Sequence, residues 1–106
     1  MKIKAQYITG RVWIDGKELS LDGQWGGNGY HVTGFAWGYR GIGPAWFALS
    51  ILLTTLPEAK ARHLHRCFEA EVISKLPRND FEIEFDLNEW LGKRELMKWA
   101  DASYLR

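Results

Sequence analysis

Gly34-Phe35-Ala36-Trp37-Gly38-Tyr39-Arg40-Gly41-Ile42-Gly43-Pro44 leads straight into Ala45-Trp46-Phe47-Ala48-Leu49-Ser50-Ile51-Leu52. Gly38 to Gly43 reads as a turn. Pro44 suits the first helical position, where its missing N–H leaves no hydrogen bond unmade. From Pro44 to about Leu56 the residues are apolar nearly all round, which marks a helix central to a core rather than one lying on its surface. Upstream, Tyr30 to Trp37 has the composition of a strand, interrupted by Gly34.

The sheet that such a helix needs is found on both sides of it. Ile3 to Ile8 and Arg11 to Ile14 are β-branched and aromatic runs, and Gly10 between them marks a bulge or bend. Val12-Trp13-Ile14-Asp15-Gly16-Lys17-Glu18-Leu19 predicts a hairpin, because Asp-Gly supplies the two positive φ angles of a type I′ turn. Phe81-Glu82-Ile83-Glu84-Phe85-Asp86-Leu87 alternates apolar with acidic residues, the pattern of a strand with one solvated face. Pro57 opens a second helix to about Lys75, with Leu64, Phe68 and Val72 on one face, and Leu76 to Asp80 closes it. Asp86, with Glu89 three residues on, caps a last helix whose apolar members are Trp90, Leu91, Leu96, Met97 and Trp99, with Gly92 as a break. The expectation is an α+β fold of roughly three to five antiparallel strands with two or three helices, one of them buried at the centre.

The 106 residues form one domain, 1–106, on length alone. Six Trp, four Tyr, five Phe and 11 Gly set it apart from average composition. Large rings beside glycines let a thin sheet pack closely, and rings left outside anchor interfaces. A formal charge of +1, from 14 Lys and Arg against 13 Asp and Glu, provides no field for steering polyanions and argues against a dedicated nucleic-acid binder. Residues 1–56 nevertheless carry Lys2, Lys4, Arg11, Lys17 and Arg40 against Asp15, Glu18 and Asp22, which leaves a weak basic face open. The one cysteine, Cys67, excludes an internal disulfide and suits a reducing compartment. Met1-Lys2-Ile3-Lys4 runs into strand-like sequence with no apolar leader. Residues 45–56 are too few to span a bilayer, which takes about 20. A soluble cytoplasmic protein without membrane contact is expected.

Four constellations carry possible chemistry. Gly38, Gly41 and Gly43 stand just before a helix, where N–H groups can gather around an anion with help from the helix dipole, and Arg40 adds a charged fork. No Lys-Ser/Thr follows, as a phosphate loop requires. The alternative is a tight connection in which the glycines take positive φ while Trp37 and Tyr39 pack over the core helix. His63 and Cys67, four apart on one helical face, are a possible pair of metal ligands. Their fellow His31 stands alone and Cys67 sits beside Leu64 and Phe68, so the core reading prevails and neither metal nor cofactor is expected. Glu82, Glu84 and Asp86 are what any solvated strand face presents, and Ser20, Ser50, Ser74 and Ser103 lie in no nucleophile elbow. Trp25, in the loop Gly23 to Gly29, together with Tyr30, Trp13 and Arg11, composes an aromatic and basic surface suited to stacking or to a protein interface. Alternation puts Trp13 on the opposite side from Val12 and Ile14; with those two inside, Trp13 is outside and needs a cover, such as the C-terminal helix or a second subunit.

Gly34 to Pro44, with Ala48-Leu49-Ser50-Ile51-Leu52 after it, resembles a family of small uncharacterised proteins scattered through bacterial, phage and prophage genomes. The family's signature reads Gly-Phe-x-Trp-Gly-Tyr-x-Gly-Ser-Gly-Pro, leading into an Ala/Leu-rich helix. Val12 to Leu19 matches its hairpin and Phe68 to Pro77 its helix and Leu-Pro turn, so the resemblance spans nearly the whole chain. Ile42 stands where the signature has Ser, so any chemistry of that hydroxyl is absent here. The resemblance implies a fold and a mobile-element setting, in which small binding proteins are commoner than metabolic enzymes. The expected function is a non-enzymatic protein of phage or mobile-element type that engages a protein partner, a host protein or a second copy of itself, through exposed aromatics. The second reading is a module for a small anion or nucleotide at Gly38–Gly43 with Arg40, and a weaker third is a nucleic-acid binder. The binding candidates are Trp37, Tyr39, Arg40, Gly41, Gly43, Trp13 and Trp25, and no residue stands out as catalytic.

Overall fold

The computed structural model describes residues 1–19 and 34–94. The expected loop Gly23 to Gly29, with Trp25, Tyr30 and His31, lies outside them, as do Leu96, Met97 and Trp99. Four strands, β1 (Lys2–Gln6), β2 (Arg11–Ile14), β3 (Lys17–Glu18) and β4 (Phe81–Glu84), form an antiparallel sheet in the order β3-β2-β1-β4. Between β3 and β4 the chain makes helices α1 (Ile42–Leu53) and α2 (Glu58–Glu71), then a 3-10 turn, Ile73–Lys75. A third helix, α3, begins at residue 87 and is described through residue 94. The α+β architecture expected from the sequence is present.

Register decides which side of the sheet is dry. Ile14, Ile3 and Ile83 stand in one row across β2, β1 and β4, and Val12, Ala5 and Phe81 in the next. The alternate rows, Trp13-Lys4-Glu82 and Arg11-Gln6, face the other way. A slip of one residue would exchange the two faces, so burying Ile3 and Val12 specifies the pairing. The Asp-Gly hairpin has the expected geometry: Asp15 at φ 50° and Gly16 at φ 84° both take the left-handed region. Asp15 also ties the hairpin to the first strand, its carboxylate accepting the Lys2 N–H at 2.8 Å.

β1 stops at Gln6, short of the expected Ile8. Gly10, at φ 69°, returns its N–H to Gln6 O at 2.9 Å and closes a turn, leaving Ile8 96% exposed. Residues 34–37, expected to be the end of a strand, join no strand ladder among the described residues. Phe35 donates its N–H to Gly10 O at 3.0 Å, and Gly38 donates to Ile73 O at 2.9 Å, so isolated bonds replace a ladder. A Cβ on Gly10 would lie 2.9 Å from Phe35 O, which is why this crossing needs a glycine.

The central helix is as buried as its composition demands, with every residue from Pro44 to Leu52 inside. It starts at Ile42, two residues before the expected position, and ends at Leu53 rather than Leu56. Pro44 is therefore the third helical residue. It is tolerated there because the first four N–H groups of any helix lack an intrahelical acceptor, and the ladder begins with Ala45 N–H to Gly41 O at 3.0 Å. α2 ends at Glu71, before the expected Lys75, where Val72 turns to φ −120°, ψ −60°. Phe68 from α2 sets its ring edge against Phe85 at 5.6 Å and Trp90 at 5.0 Å, joining the end of β4 and α3 to the same core. Asp86 caps α3 as expected, accepting the Glu89 N–H at 2.9 Å. Among the described residues no helix is long and apolar enough to cross a membrane.

Candidate functional site

Trp37 belongs to the interior. It is 0% exposed, its indole N–H donates to Pro77 O at 2.8 Å, and the rings of Phe81, Tyr7 and Phe47 stand around it at 5.3, 5.6 and 5.6 Å. A ring enclosed on these sides is not available to a ligand at the surface, so of the candidates around the turn only the residues after it reach solvent. In a continuous strand Trp37 and Tyr39 would share a face. Gly38, at φ 85°, breaks the alternation and turns Tyr39 outward, where it is 42% exposed. Arg78 lies over the Tyr39 ring at 5.2 Å and donates its Nε–H to Gly38 O at 3.1 Å, clasping the turn.

Of the three glycines of the turn, only Gly38 takes a positive φ. Gly41 is extended at φ 167° and serves as the N-cap of α1. Gly43 lies inside α1, where a Cβ would come within 2.9 Å of Ala36 Cβ. The expectation that the glycines share left-handed conformations therefore gives way to two separate causes, backbone handedness at Gly38 and close approach at Gly43. A Cβ at Gly38 would also meet Leu76 O at 2.9 Å. Gly38→Ala is expected to lower stability by about 1–2 kcal/mol from the left-handed backbone alone, read as a lower urea midpoint at unchanged m. An unchanged midpoint would contradict it.

The anion that this turn attracts is part of the protein. Glu69 of α2, 0% exposed, accepts the Gly41 N–H on Oε2 at 2.9 Å. Arg40 Nε lies 3.4 Å from the same oxygen, and Arg66 Nε lies 3.5 Å from Oε1. The buried carboxylate thus sits where the sequence suggested that a ligand anion would, at a helix N-terminus beside a guanidinium. Its Oε1 has no hydrogen-bond partner among the described residues.

Trp13 lies on the solvent face of the sheet, opposite to Val12 and Ile14, as the alternation predicts. Its described cover consists of cations: Arg11 Cζ stands 5.0 Å and Lys4 Nζ 5.8 Å from the ring centre. Arg11 is in turn held by both Glu18 oxygens at 2.8 Å, a hydrogen bond and charge that keep the Glu18 carboxyl below its ordinary value. Lys2 does the same for Glu82 across 2.8 Å, first through its hydrogen bond and then through its charge. Lys2, Lys4, Trp13, Asp15, Gly16 and Glu82 line an open groove of about 560 Å³. Exposed pairs like these contribute little stability, and they blunt the face by mixing both signs of charge.

The remaining constellations show other partners. Among the described residues no group of three or more His, Cys, Asp and Glu is placed to hold a metal. Cys67 is half-buried and accepts from Arg94 Nη2 at 3.2 Å, and His65 Nδ1 lies 2.6 Å from Arg62 O. Ser74 donates back to Ala70 O at 2.7 Å, while Ser50 is enclosed within α1. Trp25, Ser20 and Ser103 lie outside the described residues.

Beside Tyr39, a binding candidate from the sequence that is 42% exposed, three exposed apolar residues were missed by sequence reasoning: Tyr7 at 40%, Ile8 at 96% and Ile42 at 58%. Tyr7 and Ile8 belong to the 7–10 turn, Tyr39 to the turn before α1, and Ile42 is the first residue of α1. The 7–10 turn rests on the segment that leads into the turn before α1, since the Tyr7 ring packs against Trp37 and Phe35 donates to Gly10 O. Ile42, standing between two glycines at the start of a helix, was the one signal in the sequence; Tyr7 and Ile8 read as strand residues.

The model of a family described as "Family of unknown function (DUF6166)" matches residues 4–93. No curated protein matches the chain, and no solved structure does.

Proposed function

Because the chain belongs to DUF6166, a family of unknown function, its role has to be read from its surface, and we propose a non-enzymatic protein that engages a protein partner through the patch of Tyr7, Ile8, Tyr39 and Ile42. One observation carries the reading: the large apolar side chains exposed among the described residues fall in the 7–10 turn, which rests on residues 35–37, and at Tyr39 and Ile42, which follow those residues in the chain. Scattered exposed apolar residues are ordinary, whereas several gathered about one short segment and rimmed by charge suit an interaction surface. Arg40 and Arg78 supply that charged rim. The resemblance of Gly34 to Pro44 to a phage and prophage signature supports a mobile-element setting, and the single free Cys67 suits a cytoplasmic one. A small-anion site at the turn has less support, because Glu69 already takes the Gly41 N–H. Nucleic-acid binding has less still, given the interspersed charges of the sheet face.

Capture from a host lysate, with Tyr39→Ala/Ile42→Ser as the comparison, tests the proposal. The wild type is expected to enrich a protein that the double variant loses by tenfold or more, with both equally folded by circular dichroism; truncating anchors of an interface costs about 2 kcal/mol or more each. Sedimentation of the purified chain separates a foreign partner from a second copy. Equal capture by both proteins, without self-association, would sink the reading.

A further inference from the structure

Arg40 and Arg66 come from different elements, the turn before α1 and the middle of α2, yet each approaches the Glu69 carboxylate within 3.5 Å. The two guanidinium groups therefore share one carboxylate, one at each of its oxygens. In both pairs the nitrogen nearest to Glu69 is Nε, and both side chains remain more than half exposed, at 53% and 55%. Their terminal amino groups carry no hydrogen bond among the described residues. Two forks are thus paired with one buried carboxylate while more than half of each side chain stays open to solvent. Glu69 neutralises one of the two charges, so the pair keeps a net positive charge facing solvent.

We infer that Arg40 and Arg66 form a clamp for a carboxylate side chain carried by the protein partner. The assignment rests on the preceding reading of the surface and deepens it, because Arg40 lies between Tyr39 and Ile42 in the chain and places the clamp on the margin of the apolar patch. Planar guanidinium forks match a carboxylate in bidentate geometry, and a charge-assisted bond of that kind is about twice as strong as a neutral one. The anchoring by Glu69 reduces the rotamer freedom that each arginine would lose on binding.

The test is a titration of the intact chain with a deca-glutamate peptide and, separately, with inorganic phosphate. It is followed on the Nε–H signals of Arg40 and Arg66 by NMR and repeated with Arg66→Lys. That variant keeps the charge beside Glu69 and lacks the fork, and thermal unfolding checks that it is folded. The expected result is that the peptide moves both signals together and that Arg66→Lys weakens its binding about tenfold. If the peptide leaves either signal unmoved, or binds Arg66→Lys as well as wild type, the clamp is overturned. Phosphate binding without peptide binding also overturns it. Failure of the clamp beside loss of capture in Tyr39→Ala/Ile42→Ser leaves the apolar patch standing. A working clamp with unchanged capture removes the patch instead.

Discussion

Trp37→Ala is expected to lower the free energy of unfolding by about 3–5 kcal/mol, the usual cost of deleting a large buried ring. Trp37 is 0% exposed and touches rings from the 7–10 turn, α1 and β4, so its removal opens a cavity where three parts of the chain meet. Against a total stability of about 5–15 kcal/mol for a domain of this kind, such a loss leaves a chain that unfolds on mild warming. Trp37→Phe separates packing from hydrogen bonding, since it keeps a ring but leaves Pro77 O without the indole donor. It should cost less, about 1–3 kcal/mol. Urea unfolding followed by circular dichroism measures both. A loss under about 1 kcal/mol for the alanine variant would contradict the place of Trp37 in the core.

Glu69 supplies the second large effect, and here two terms compete. Glu69→Leu removes a buried charge, and replacing buried ionic groups by apolar ones of similar size is often neutral or even stabilising. It also leaves the Gly41 N–H at the start of α1 without its acceptor, which costs about 1–3 kcal/mol. Arg40 and Arg66, more than half exposed, recover water once the carboxylate is gone, so no buried cation is stranded. Among the described residues Oε1 has no hydrogen-bond partner, so the carboxylate is held chiefly through Oε2 and Gly41. The orphaned N–H therefore decides the sign, and Glu69→Leu is expected to destabilise by up to about 3 kcal/mol, with faster exchange of the Gly41 amide. Glu69→Gln, which keeps an acceptor oxygen, should recover most of the loss. Full stability of the leucine variant would show that the carboxylate does not anchor the turn.

The parts of the fold legible from sequence were those governed by neighbours. Asp15-Gly16 specifies its hairpin because both residues tolerate positive φ. Residues 44–52 announce a buried helix because no polar stripe interrupts them, and Asp86 caps α3 through a bond to a residue three positions away. What escaped reading depended on distant partners. β1 ends at Gln6 because the following turn rests on residues 34–35, and nothing local distinguishes Tyr7 and Ile8 from strand residues. Residues 35–37 have strand composition but bond to Gly10 and Ile73 on separate sides. At the candidate site, Tyr39 and Arg40 reach solvent, whereas Trp37 does not. Only the kink at Gly38 separates them. The acceptor for Gly41 lies 28 residues downstream, on a helix rich in glutamates that look alike in sequence.

The place of β1 in the sheet has a consequence for how the chain folds. β1 is an inner strand, paired with β2 on one side and with β4 on the other, and Phe85 N–H closes on Met1 O. The three N-terminal strands can zip early, since their pairings are local, but they form a ribbon with one flank of β1 unoccupied. That flank is filled only when residues 81–84 have left the ribosome and returned across the helices. Closing this long loop costs more entropy than closing the Asp15-Gly16 hairpin, so the β1–β4 pairing raises the chain's contact order and is expected to slow its folding. Until then Ile3 and Ala5 remain a sticky margin, the stage at which a nascent chain has most need of a chaperone.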